Sequence, residues 1–234
     1  MNGGAAHPPQ VLHCDNHVLG VVKPAGMPIV PDASGDPSLL EWAKAWIKRE
    51  YDKPGEVFLG VVHRLDRPVS GVVVFGRTSK GAQRLSAAWR EGKVQKHYLA
   101  RTDPPAAGRP GAQLEVGASG SIEQWLWKDR ERNLVRVVPA QQDGAKQAIS
   151  RYTVQGRAQD GGLLLVLEPV TGRSHQLRLA CAVGLGAPIR GDLKYGAQQA
   201  LPARRIDLHA ARLRFPHPTR DEEICLECPI SLAS

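Results

Sequence analysis

Gly60-Val61-Val62-His63-Arg64-Leu65-Asp66-Arg67-Pro68-Val69-Ser70-Gly71 sets one carboxylate among cations, between two apolar runs. The runs, 57–62 and 72–75, have the length and β-branched content of buried strands. Pro68, Ser70 and Gly71 punctuate the turn between them. Two strands would therefore hold Asp66 on a tight loop, with His63, Arg64 and Arg67 as a basic rim. Neighbouring cations favour the charged form of a carboxylate. Such an acid in basic surroundings suits work on a polyanion. It equally fits a turn aspartate that bonds its own backbone, and the loop alone does not choose between these.

On either side of this stretch the pattern alternates between strands and a few helices. A strand is expected over 18–22, then a Pro/Gly loop over 23–37. A helix follows, with Asp36 as N-cap before Pro37, or with a capping box from Ser38 and Glu41. Leu39, Leu40, Ala43, Trp46 and Ile47 recur at helical spacing as its core stripe. A second helix spans 79–90 and stops at Gly92. Strands are expected over 93–101, 122–127, 134–138, 148–154 and 163–167, with a loop over 102–112. Thr171-Gly172-Arg173 opens a helix over 174–182, and strands over 208–215 and 224–228 follow. Strands joined mostly by short turns, with few helices, predict an α+β class and a mainly antiparallel sheet.

Bulk properties narrow the partners. The chain has 234 residues, and 42% hydrophobic content suffices for an ordinary core. Lysine and arginine number 31 against 23 acids, a net charge of +8. That balance favours nucleic acid over a membrane surface, or marks only a solvated basic surface. No apolar run reaches the roughly 18 residues of a membrane span. Residues 1–10 lack the cationic start and apolar core of a signal peptide and read as a flexible N-terminal tail, leaving 11–234 as one domain. Four cysteines are too few for a disulfide scaffold and suit a reducing cytoplasm. Cys225-x-x-Cys228 has no second pair to complete a zinc site and lies in a strand-like alternation.

Other constellations leave two readings open. Tyr98, in Lys96-His97-Tyr98-Leu99-Ala100, fits a core position or a base-stacking ring. Arg173, Ser174, His175, Gln176, Leu177 and Arg178 at a helix start fit an anion site or a surface helix. His209, His217 and Asp192 match no defensible zinc spacing and read as structural. Neither a Walker loop, nor GxGxxG, nor a GxSxG elbow is present, so no nucleotide cofactor is indicated.

These residues form ordered blocks. They are Lys23-Pro24-Ala25-Gly26-Met27-Pro28, His63-Arg64-Leu65-Asp66 with Ser70-Gly71, and Lys96 to Ala100. Gly172 to Arg178 follows, then Pro188-Ile189 with Gly191-Asp192 and Tyr195-Gly196, then Leu208-His209-Ala210 to His217-Pro218. In this order they resemble the RluA-type RNA pseudouridine synthases, over nearly the whole chain. The resemblance implies that family's fold, a mixed, mostly antiparallel sheet bisected by a catalytic cleft. It implies isomerisation of uridine to pseudouridine in RNA, ribosomal (large-subunit) or transfer, without cofactor or metal, by a cytoplasmic monomer. Asp66 would be the catalytic aspartate, Tyr98 the ring against the base, and Arg178 the cation paired with Asp66. Arg64 would fill the gap left by the departing uridine. Further substrate contacts are expected from His63 and Arg67, and from Arg173, His175, Gln176 and Leu177. Val69 stands where the family often has threonine, and Ala180 where histidine is frequent. An N-terminal S4 domain, carried by many members, is not expected ahead of residue 11. The rival readings are an inactive RNA-binding protein of the same fold and a metal-dependent hydrolase using Asp66, Asp192 and the histidines.

Overall fold

The computed structural model describes residues 8–230. Of the tail expected over 1–10, residues 1–7 lie outside the described residues, and Gln10 opens a strand. The described residues gather into two compact units: 8–95 with 210–229, and 96–209 with 230. Every strand ladder whose register is given below is antiparallel, and helices are few, as the sequence pattern predicts.

In the first unit, β1 (Gln10–Cys14) pairs β2 (Val18–Lys23), β2 pairs β4 (Ser70–Gly76), and β10 (Leu208–Pro216) pairs β11 (Glu223–Glu227). β4 lies between β2 and β10. The strand expected over 57–62 shrinks to β3 (Gly60–Val61), which pairs only Phe75 and Gly76. Further along β4, the His63 imidazole takes over. Its Nε2 accepts the Val74 N–H at 2.9 Å, and its ring stacks on Trp89, centroids 4.6 Å apart. A side chain thus satisfies the donor that a longer β3 would have used.

Helix α1 (Leu39–Glu50) starts at Ser38 rather than Asp36. Ser38 and Glu41 form the full capping box, and Asp36 turns away to pair with Arg67. Two reciprocal bonds to otherwise unsatisfied helix N–H groups outweigh the single cap Asp36 could offer. Leu39, Ala43 and Ile47 are buried, while Trp46 is half-buried, edge-on to Tyr51. Helix α2 (Ser79–Arg90) has the bounds its pattern predicts and is capped by Thr78. Its Leu85 and Ala88 join Val18, Val72, Val74, Leu213 and Phe215 in one core. Each of these side chains larger than alanine contributes about 1.5–3 kcal/mol on burial. Asp15 ties the β1–β2 turn to the loop after β10, accepting from the His17 and Val18 amides and from His217 Nε2 at 2.9 Å. Partial burial opposes its ionisation, but these bonds and one from His13 hold the carboxyl well below the usual range.

The second unit carries the strand order β5 (Gln95–Arg101), β9 (Leu163–Pro169), β8 (Lys146–Arg157), β6 (Ser119–Asp129), β7 (Leu134–Val137). The helix expected over 174–182 is α3 (Gln176–Leu179), four residues, continuing as a π-helical turn, Ala180–Leu185. It lies on the face of β8 that carries Ser150, since Gln176 Nε2 donates to Ser150 Oγ at 2.9 Å. Cys225 is exposed on β11, whereas Cys228, just past its end, packs half-buried against the core.

Candidate active site

The Asp66 loop is pinned from both ends. Leu65 and Val69, on either side, are buried, and the Val69 N–H closes a turn onto the Asp66 carbonyl at 3.0 Å. Arg67 stitches this turn to the 23–37 loop: Gly26 N–H donates to Arg67 O at 2.8 Å, and Arg67 Nε returns a bond to Gly26 O at 2.8 Å. Its guanidinium also reaches Ser34 at 2.9 Å, Asp32 at 3.4 Å, and Asp36. Arg67 therefore orders the loop, whereas Arg64 is exposed on it. Beneath lies a residue whose role the motif reading did not see. Lys23 is fully buried, and its ammonium donates to the carbonyls of Pro24 (3.0 Å), Met27 (2.9 Å) and Arg67 (3.0 Å). Burial pushes it down to about 7, the charge of Asp66 resisting and that of Arg67 assisting. The available signal was a lysine closing an otherwise apolar strand, directly before a proline.

In the second unit Tyr98 sits opposite Leu167 on β9, and Leu167 opposite Tyr152 on β8. Directly paired residues share a face, so Tyr98 projects from the same face as Ser150, the face α3 covers. Four bonds exhaust the Gln176 amide. Its Oε1 accepts from Thr171 Oγ1 (2.7 Å) and Arg173 N (3.0 Å); its Nε2 donates to Ile149 O (2.8 Å) and Ser150 Oγ. The donors expected for an anion at this helix start are thus partly consumed by the loop itself. Leu177 is buried, and Arg173 is exposed with its Nε on Gln147 O at 3.0 Å. His175 adopts the left-handed conformation, φ 54°, with Nδ1 2.5 Å from Tyr195 Oη. Arg178 is buried and makes two bonds to Asp192, Nε to Oδ2 at 2.7 Å and NH2 to Oδ1 at 2.6 Å. Its guanidinium lies over the Tyr195 ring, 4.9 Å from the centroid.

The family model described as RNA pseudouridylate synthase matches residues 17–183. A curated relative, the dual-specificity RNA pseudouridine synthase RluA of Salmonella typhi, is 33% identical over 95% of this chain and 96% of its own. The chain belongs to the RNA pseudouridylate synthase family. The mitochondrial pseudouridylate synthase RPUSD4 of Xenopus tropicalis is 30% identical over 94% of this chain and 76% of its own. The solved human RNA pseudouridylate synthase domain containing 4 superposes with TM-score 0.73 at 24% identity, covering 95% of this chain and 89% of that one. The matched span contains Asp66, Tyr98 and Arg178.

As a pseudouridine synthase the chain is an isomerase acting on RNA. Among the described residues no group of three metal-ligating side chains forms a metal site, and no helix is long and apolar enough to cross a membrane. His217 has a structural place: its side chain is buried, Nε2 meets Asp15, and Nδ1 accepts the Arg220 amide at 3.0 Å. Asp192, weighed in the sequence only as a metal ligand, is instead the partner of Arg178. Arg178 and Asp192 stand 14 residues apart in two neighbouring blocks, which a one-dimensional reading does not connect.

Proposed function

We propose that this pseudouridine synthase converts specific uridines of ribosomal or transfer RNA, with Asp66 as the reactive carboxylate. Tyr98 is assigned to the base and Arg178 to the carboxylate. The carrying observation is the family match over 17–183, which includes the locked Asp66 turn. The N1–C1′ bond breaks, uracil turns, C5 bonds to C1′ and gives up its proton, and N1 takes up a proton. Nothing is oxidised or donated, so the reading requires no cofactor. The uridine leaves its stack at a cost of a few kcal/mol, which phosphate contacts from exposed cations such as Arg64 and Arg173 help offset. Asp66 then acts as nucleophile or base, and Tyr98 holds the freed uracil by stacking. Residues 11–234 work in this proposal as one catalytic domain and a monomer. A reducing cytoplasm suits so small a number of cysteines, four in all.

RNA tritiated at uridine C5 tests the assignment. Wild type should release tritium, and Asp66→Asn should lose release while still binding the RNA. Equal release by both would remove Asp66 from the chemistry, and binding without release by wild type would favour an inactive RNA-binding protein.

A further inference from the structure

We propose that Asp192 is a positioning residue for the isomerisation, setting the plane of the Arg178 guanidinium. The inference rests on the function proposed above. Asp192 takes the Nε–NH2 edge of the guanidinium through both carboxylate oxygens, at 2.7 and 2.6 Å. Such a two-point bond fixes the plane of the group, which a single contact does not. The pair is deeply buried, the side chains 6% and 1% exposed. Buried ion pairs are costly to desolvate and contribute little net stability, so orientation is the better account of this one.

A second contact fixes the guanidinium from its face, and the same short turn supplies it. Tyr195 follows Asp192 by three residues, its N–H bonded to the Asp192 carbonyl at 3.0 Å. Its ring lies against the guanidinium and is itself held: Oη accepts the Val135 N–H at 3.1 Å and meets His175 Nδ1 at 2.5 Å. One turn therefore grips both the edge and the face of Arg178.

Steady-state tritium release on C5-tritiated RNA, with RNA binding and thermal unfolding measured alongside, tests this. Asp192→Asn should lower kcat about 10- to 100-fold, the scale of a misoriented group, with KM within about twofold of wild type. Asp192→Glu keeps the charge but moves the clasp, and should show the same split; it decides the matter if Asp192→Asn does not fold. A purely structural Asp192 would lower the unfolding temperature and leave kcat per folded molecule intact, which overturns the proposal. A rise in KM with unchanged kcat overturns it too. If wild type releases no tritium, the function itself falls; if wild type does and both variants match it, this inference alone falls.

Discussion

At Lys23 a single side chain carries a cost and a purpose at once. A buried ammonium loses hydration, and three carbonyls replace it. Two of those carbonyls lie in the 23–37 loop and the third on Arg67, beside Asp66, so one amine joins the two loops. Lys23→Met removes the donor that these three carbonyls share, leaving Arg67 O only its bond from the Gly26 amide, and we expect about 2–4 kcal/mol lower stability in urea denaturation. The pH dependence has a definite sign. Burial lowers this group from 10.5 to about 7, so between those values the unfolded chain holds more protons than the folded one. Stability from this group therefore rises with pH from about 7 toward 10.5 and is flat below. Unfolding midpoints of wild type should gain on those of Lys23→Met over that window; parallel curves would refute it. Single-residue chemistry of this kind was half legible in the sequence. Asp66, Tyr98 and Arg178 stand in motifs, but Lys23 reaches 44 residues to Arg67 and Asp192 reaches 14 to Arg178, across more chain than a short motif covers.

Among the elements, β4 matters most because it leaves the Asp66 turn and runs between β2 and β10. Gly71 begins that run at φ +120°, and a Cβ there would lie 2.3 Å from the Ala210 carbonyl oxygen on β10. No side chain fits, and the backbone on either side has no room to yield. Gly71→Ala should cost about 3 kcal/mol or more and also lower activity, through the adjoining loop, as melting curves and tritium release would show. Helices α1 and α2 were legible because caps and apolar spacing are local signals. β1 was not, since Gln10–Cys14 is only half-buried and gives no clean alternation. β3 was over-read for the opposite reason: its apolar residues pack in the core, but β4 has few unpaired positions to give it. In α3 the local pattern suggested an ordinary helix, whereas its start is tied down by Gln176 and its end relaxes into a π-turn ahead of Gly186.

For the whole molecule, the net charge of +8 is a property of the chain that no packing detail alters. RNA binding should weaken linearly in log affinity against log salt, with slope near −0.7 to −0.9 per phosphate neutralised. Asp66→Asn should leave that slope unchanged, while charge removal at Arg64 or Arg173 should make it shallower by about one each, read by filter binding from about 50 to 200 mM salt. By itself the sequence determined the class of structure and the family and offered the candidate residues for the chemistry, because strand alternation, helix caps and short motifs are encoded within a few residues of one another. Only the tertiary structure decided which groups those residues lean on: Lys23 under the Asp66 turn, His63 standing in for a strand, Asp192 and Tyr195 around Arg178. Hydrogen-bond partners are chosen by distance in space, and burial forces every polar group to find one wherever in the chain it lies.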